Sequence, residues 1–344
     1  MKVLHVTRDF PPRVNGGISV AVGGLVRAQR AAGLDVRVAS FDGWRPRGPR
    51  AAPLPWSEGV WRAAGPDDVP ALAREAAAFA PEVVHVHDAL LFDALTIETA
   101  PRVLTVHVDQ HAQRVLRSLD RPTKSELAQA AARAAADVVI VPSRALGEGE
   151  VIPFGVDLPA TGAGGDALLY VGRLADVKGT AELLEAARRV DAPFQIAGGL
   201  PDSPRAERRW REAAPPNAIF LGWLSPEALA RAYAGAAMLL APSWHETFGL
   251  AVAEAMSFGV PPIASAVGAL PERVTHEVSG LLVPPRDVDA LVDAIERLRG
   301  DEALRRRLGE GARAAAARWT WAACEAAHRA VYETARGKHS EGAP

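Results

Sequence analysis

Ala241-Pro242-Ser243-Trp244-His245-Glu246-Thr247-Phe248-Gly249-Leu250-Ala251-Val252-Ala253-Glu254-Ala255-Met256 reads as the end of a strand, a loop and the start of a helix. The apolar run Met238 to Ala241 stops at Pro242, and periodic alanine-rich sequence resumes near Leu250. Gly249 permits close backbone approach at the turn. A helix opening there points its first amides and the positive end of its dipole out of the sheet, which favours a phosphate. Glu246 lies in the loop, and Glu254 falls about one turn into the helix. Carboxylates in these places can accept hydrogen bonds from sugar hydroxyls. Glu254 alone also suits plain decoration of the first turn.

The same strand-then-helix alternation extends in both directions. Val3 to Thr7, Val36 to Ala39, Val83 to His87, Arg102 to Val106 and Val138 to Val141 read as strands, with helices at Ile18 to Ala32 and Arg74 to Ala80. Gly33 is a helix stop. Residues 43–66 are rich in Pro, Gly, Arg and Trp and read as loop. After Pro159-Ala160-Thr161-Gly162-Ala163-Gly164-Gly165, a linker candidate, the alternation restarts with Ala167 to Val171, Thr180 to Val190 and Phe194 to Ala197. Ile219 to Leu221, Met238 to Ala241, Pro262 to Ser265 and Leu281 to Val283 complete the second series. Continuous Val/Ile/Leu runs between helices predict parallel sheets covered on both faces. The expected fold is α/β, with two facing Rossmann-like domains over residues 1–158 and 165–317 and a cleft between them at the carboxyl ends of the strands. A last helix over about 318–335 crosses back to the first domain, with Trp319 and Trp321 as packing residues and 337–344 as a frayed tail.

Two further loops carry candidate chemistry. Val171-Gly172-Arg173-Leu174-Ala175-Asp176-Val177-Lys178-Gly179-Thr180 sets two cations, Arg173 and Lys178, at a strand end beside a helix start, as a metal-free diphosphate clamp requires. Solvated surface cations are the plain alternative. Gly16-Gly17 stands between the first strand and first helix, where backbone N–H groups can approach an anion or simply make a tight turn.

Composition narrows the classes. The 344 residues favour two domains, and a net charge of −2 from 39 basic and 41 acidic side chains argues against a nucleic-acid binder. One cysteine, Cys324, allows no internal disulfide. The N-terminus is too charged for a signal-peptide core, and no apolar run reaches the ~18 residues of a membrane span. A cytoplasmic protein is expected. Residues 110–133 carry Arg114, Arg117, Arg121, Lys124 and Arg133, a solvated face or a site of peripheral contact with anionic lipid.

The segment Pro242 to Pro261, with Glu, seven residues, Glu and then Ala-Met-Ser-Phe-Gly-Val-Pro, resembles the signature of glycosyltransferase family four, whose members have the two-Rossmann GT-B architecture. Val171-Gly172-Arg173-Leu174…Lys178-Gly179, Ile152-Pro153-Phe154-Gly155-Val156-Asp157 and Gly16-Gly17 resemble further segments of that family, in the same order. The resemblance implies that Glu246 contacts the transferred sugar and that Glu254 binds the ribose. Arg173 and Lys178 hold the diphosphate, so no divalent metal or other cofactor is needed. It further implies that backbone groups of Phe248, Gly249 and Leu250 hold donor oxygens, and that His107, in Val106-His107-Val108-Asp109, faces the donor sugar. The base is expected near Gly198-Gly199 and Leu221-Gly222-Trp223-Leu224, with Trp223 stacking on it or covering the core. Gly268-Ala269 replaces a frequent Gly-Gly pair; a structural turn is the simpler role.

The activity that the resemblance implies is retaining transfer from a nucleotide diphosphate sugar, UDP foremost, to a hydroxyl of a lipid carrier, glycan or small metabolite. The resemblance implies front-face attack with the leaving phosphate taking the acceptor's proton, and no carboxylate is an obvious covalent nucleophile. A GT-B epimerase, a phosphorylase and a non-catalytic sugar-nucleotide binder are the alternatives.

Overall fold

The computed structural model describes residues 1–14, 16–42, 57–95, 97, 100–159, 164–200 and 203–341. The chain divides into two compact units. Met1–Gly155 with Trp321–Pro344 form one, and Val156–Thr320 the other. The boundary lies just before the Pro159–Gly165 segment, of which 160–163 fall outside the described residues.

The first unit holds strands β1 (Lys2–Thr7), β2 (Asp35–Ser40), β3 (Val60–Arg62), β4 (Val83–Val86), β5 (Arg102–Thr105), β6 (Val138–Val141) and β7 (Glu150–Val151). They pair in parallel in the order β3-β2-β1-β4-β5-β6-β7. Its helices are α1 (Gly17–Ala31), α2 (Val69–Phe79), α3 (Gln110–Leu116) and α4 (Lys124–Ala135). The second unit holds β8 (Ala167–Val171), β9 (Phe194–Ala197), β10 (Ala218–Gly222), β11 (Ala236–Ala241), β12 (Pro262–Ser265) and β13 (Leu281–Val283), ordered β10-β9-β8-β11-β12-β13. Between and after them run α5 (Thr180–Arg189), α6 (Pro204–Glu212), α7 (Pro226–Ala234), α8 (Leu250–Ser257), α9 (Leu270–Arg273), α10 (Val288–Gly300) and α11 (Glu302–Ala316). The last helix, α12 (Trp321–Glu341), belongs to the first unit. Both sheets have the doubly wound order in which the first and fourth strands lie side by side and the winding reverses.

Burial follows from the pleat. Alternate residues of β1 enter different cores: Val3 joins Val22, Val26, Val36 and Val83 on the α1 and α12 face, while Leu4 joins Leu72, Val84 and Leu104 on the other. The second unit packs Leu168, Leu183, Phe194, Ile196, Met238, Leu240 and Ile295 together.

Two expectations need correction. The 43–66 segment is not all loop: Val60–Arg62 adds a parallel edge strand to β2. Its Trp61 and Arg62 are partners of the fold. Arg62 is buried against Asp42, and Trp61 meets Phe79 edge-on with ring centroids 6.2 Å apart. Residues 43–56 lie outside the described residues. The tail does not fray at 337; α12 continues to Glu341. Buried Tyr332 and Ala335 and the Arg336–Glu82 pair fix the preceding turns, and extending a fixed helix costs little.

Trp321 packs where α1 lacks a side chain: a Cβ added at Gly24 would lie 2.1 Å from its ring. Gly24→Ala should therefore cost about 1–3 kcal/mol of stability by overpacking, and less in a Trp321→Leu background. Urea denaturation of the single and double variants checks this; equal penalties in both backgrounds contradict it.

Candidate active site

Strands β8 and β11 are neighbours at the winding reversal of the second unit. Crevices at such points, beyond the carboxyl ends of the strands, are where open α/β sheets take ligands. Both conspicuous loops emerge there. After β8, Gly179 adopts a left-handed backbone (φ 69°), and a Cβ on it would lie 1.9 Å from the Pro242 carbonyl oxygen after β11. Glycine is thus required for the loops to touch. The Trp244 N–H donates to the Val177 carbonyl at 3.0 Å, and Lys178 Nζ donates to Glu246 Oε2 at 2.6 Å. Burial raises the Glu246 pKa, but Lys178 overrides this and holds the carboxyl below its usual range. The Glu246 backbone is clamped too: the Ala269 N–H donates to its carbonyl at 2.9 Å, and Gly268 (φ 52°) leaves room for it. Ala269 sits at φ −77°, so the missing second glycine costs nothing.

Gly249 (φ 81°) turns the chain into α8. The first α8 amides, from Leu250 on, have no intrahelical acceptor. Phe248 is buried under Arg273, whose guanidinium lies 4.4 Å from the ring centroid and donates to the Phe248 carbonyl. Phe248 therefore offers backbone rather than side chain. Burial lowers the Arg273 pKa to about 10. Arg173 is exposed and its guanidinium makes no ion pair among the described residues.

Glu254 has a partner that sequence reasoning missed. Tyr233 of α7 donates its hydroxyl to Glu254 Oε2 at 2.8 Å. Burial raises the Glu254 pKa to about 7, with Tyr233 pulling it down and Asp157 pushing it up. First-turn decoration does not describe a carboxyl held this way. The loops expected at the base also meet. The Leu200 N–H donates to Glu207 Oε2 at 2.6 Å, and a Cβ on Gly199 would lie 3.1 Å from the Trp223 indole nitrogen. Trp223 is 47% exposed, so it does not cover the core; Leu224 beside it is half-buried. His245 Nε2 and Glu182 Oε2 are buried without hydrogen bonds, although Glu182 Oε1 accepts from the Trp244 indole.

The remaining candidates lie in the first unit. Gly16 caps α1 at φ 155° with open space where a Cβ would stand, and Gly17 is exposed. Asn15 lies outside the described residues. His107 follows β5, buried and stacked on Phe154 with centroids 5.2 Å apart. It is not alone. His5, His85, His87 and His328 are buried beside it, on the face toward α1 and α12. Burial, reinforced for all but His328 by repulsion from neighbouring histidines, holds all five below the ordinary imidazole pKa, at about 3 for His5 and His107 and about 4 for His328. Histidines at i and i+2 in an otherwise apolar strand, His85 and His87, were the legible sign of a polar row inside the sheet.

The acid dependence follows. A depressed folded pKa means that, below about pH 6.5, the unfolded chain takes up protons the folded one refuses. Stability is full above that pH and falls as pH drops toward 4, by about 1.4 kcal/mol per pH unit for each such histidine. Glu254, with its raised pKa, offsets one of the five between pH 7 and 4.5. Urea midpoints should fall steeply from pH 6.5 to 5; a slope of one proton or less contradicts the buried neutral row.

Residues 15–158 match the family described as Glycosyltransferase Family 4, and residues 162–315 match Glycosyl transferases group 1. D-inositol 3-phosphate glycosyltransferase of Corynebacterium diphtheriae is 33% identical over 177 residues, covering 48% of this chain and 42% of that protein. Its counterpart in Corynebacterium jeikeium is 35% identical over 178 residues, with the same coverage. The match thus spans less than half the length of these relatives. Among solved structures, sucrose-phosphate synthase from Thermosynechococcus elongatus superposes with a TM-score of 0.85 at 24% identity, covering 98% of this chain and all of that one. Anabaena HepE in complex with UDP-glucose superposes at 0.77 and 18% identity, covering 97% of this chain and all of that one. No helix among the described residues is long and apolar enough to cross a membrane. With both of its family segments in order on a GT-B fold, and the Glu246–Glu254 pair at the head of α8, the chain belongs to glycosyltransferase family four.

Proposed function

We propose that the protein is a retaining glycosyltransferase that moves a sugar from a nucleotide diphosphate donor, UDP-linked first among them, to a hydroxyl acceptor. The observation that carries this is the Lys178–Glu246 contact beside the first turn of α8. Lys178, Arg173 and the α8 amides make one electropositive corner, suited to a diphosphate whose charge grows as the glycosidic bond breaks. With that charge met by side chains and helix, the reaction needs no divalent metal. Glu246, ionised and oriented by Lys178, accepts sugar hydroxyls. Glu254 accepts the ribose hydroxyls, and Gly199, Trp223 and Leu224 border the base. The leaving phosphate takes the acceptor's proton in a front-face attack that retains configuration. Anabaena HepE, solved with UDP-glucose, supports a UDP sugar, and the inositol phosphate enzymes support a small phosphorylated polyol among the acceptor classes, beside lipid carriers and glycans.

The test is release of nucleotide diphosphate from UDP-, GDP-, ADP- and dTDP-glucose in the presence of chelator, with the product anomer read by NMR. One donor should turn over with retention, and Glu246→Gln should lose on the order of a hundredfold in kcat. Inversion, or dependence on added metal, contradicts the mechanism. Sugar phosphate formed on adding inorganic phosphate to a disaccharide identifies a phosphorylase instead, and binding without turnover a non-catalytic carrier.

A surface feature favours acceptor delivery at a membrane. Of the basic residues at 110–133, Arg114 is spent on Glu126 and Arg133 on the Leu146 and Glu148 carbonyls. Arg117, Arg121 and Lys124 are exposed, as are Val115 and Leu127, at 56% and 60%. Co-sedimentation with anionic vesicles, lost in Arg117→Glu/Arg121→Glu, is the expected result; equal recovery with neutral vesicles contradicts it.

A further inference from the structure

The buried row in the first unit runs from Gln29 on α1 through His5 on β1 and His87 after β4 to His107 after β5. The contacts are 2.7 Å from His5 Nε2 to Gln29 Oε1, 2.8 Å from His5 Nδ1 to His87 Nε2, and 3.0 Å from His87 Nδ1 to His107 Nε2. Each neutral imidazole has one N–H and one lone pair, so a single choice at one end sets every proton in the row.

Gln29 makes that choice. Its amide nitrogen donates to the Tyr332 hydroxyl at 3.0 Å, leaving its oxygen for His5. Tyr332 in turn lies 2.7 Å from His85 Nδ1. A phenol is a stronger acid than a neutral imidazole, so Tyr332 donates to His85 and must accept from Gln29. His85 then donates from Nε2 to Thr105 Oγ1 at 2.6 Å. With Gln29 oriented in this way, His5 donates from Nε2, His87 donates to His5, and His107 donates from Nε2 to His87. His107 Nδ1 is the one ring nitrogen of the row without a hydrogen bond among the described residues. An amide cannot pass a proton on, so a row ending in Gln29 is no proton wire. Nor does it invite a metal, although His5, His85 and His87 hold nitrogens within 4.8 Å of one another: every one of those nitrogens is already paired.

We infer that Gln29, Tyr332, His5 and His87 are positioning residues that lock His107 with its proton on Nε2, presenting Nδ1 as an acceptor for a sugar hydroxyl. The sugar assignment rests on the proposed transferase function; the lock does not. His107 in this form favours a ligand group that donates a hydrogen bond and disfavours a carboxylate, which only accepts.

Long-range 1H–15N correlation on 15N-histidine protein, with the His107 signals identified by their loss in His107→Gln, reads the tautomer directly. At pH 7.5 the wild type should be protonated at Nε2 alone. Gln29→Met removes the oriented acceptor, and the milder Tyr332→Phe removes the group that orients it. Both should bring in Nδ1-protonated His107 while the protein stays folded by circular dichroism. Calorimetry should then show UDP-glucose binding weakened roughly tenfold with UDP binding unchanged. A wild-type His107 protonated at Nδ1, or a tautomer indifferent to both substitutions, overturns the lock. An intact lock in a protein that binds neither UDP nor UDP-glucose upholds it and counts against the transferase reading alone.

Discussion

The ion pair of Lys178 with Glu246 joins two loops that the chain separates by 68 residues. Neither side chain could sit half-buried at the mouth of a sheet without the other, because an unpaired charge there would meet a desolvation cost of several kcal/mol. The backbone brings them together before the charges act. Gly179 lets the β8 loop lie against Pro242, the Trp244 N–H reaches Val177, and Gly268 lets the β12 loop hold the Glu246 carbonyl. Three loops from three adjacent strands thereby close around one carboxylate, and α8 starts from the same point.

The strands and the passage that carries Glu246 and Glu254 were legible because each signal is local, whereas the pairing of Glu246 with Lys178 was not. Phe194–Ala197, Pro262–Ser265 and Leu281–Val283 are short apolar runs bounded by turn residues, and Glu246, Gly249 and Glu254 lie within one strand–loop–helix passage. The edge strand β3 was not legible, since three residues carry no period and Arg62 there is buried only because Asp42 awaits it. Tyr233 was missed as the partner of Glu254 because it stands 21 residues earlier, on α7, with nothing in the sequence to aim it. The histidine row was harder still: the contact that orients it joins Gln29 to Tyr332 across 303 residues.

That row is a costly way to fill a sheet face. Four neutral imidazoles, with His328 of α12 packed against them, stand where Val3, Val83 and Val103 show that aliphatic side chains fit. Each lowers the tolerance to acid, and none adds the apolar burial of a valine. The hydrogen-bonded row from Gln29 to His107 instead buys definition: one hydrogen-bond pattern and one presentation of His107. The second unit uses the same principle with charge: Lys178 holds Glu246 ionised, while burial raises the Glu254 pKa to about 7 against the pull of the Tyr233 hydroxyl.

The proposed function depends above all on the Arg173–Lys178–α8 corner taking a nucleotide diphosphate. The most direct test is calorimetric titration of UDP, GDP, ADP and dTDP in chelator, for the wild type and for Arg173→Ala/Lys178→Ala. Micromolar binding of one nucleotide, lost in the double variant, is expected. Binding of no nucleotide by folded protein, or binding that survives loss of both cations, would contradict that function.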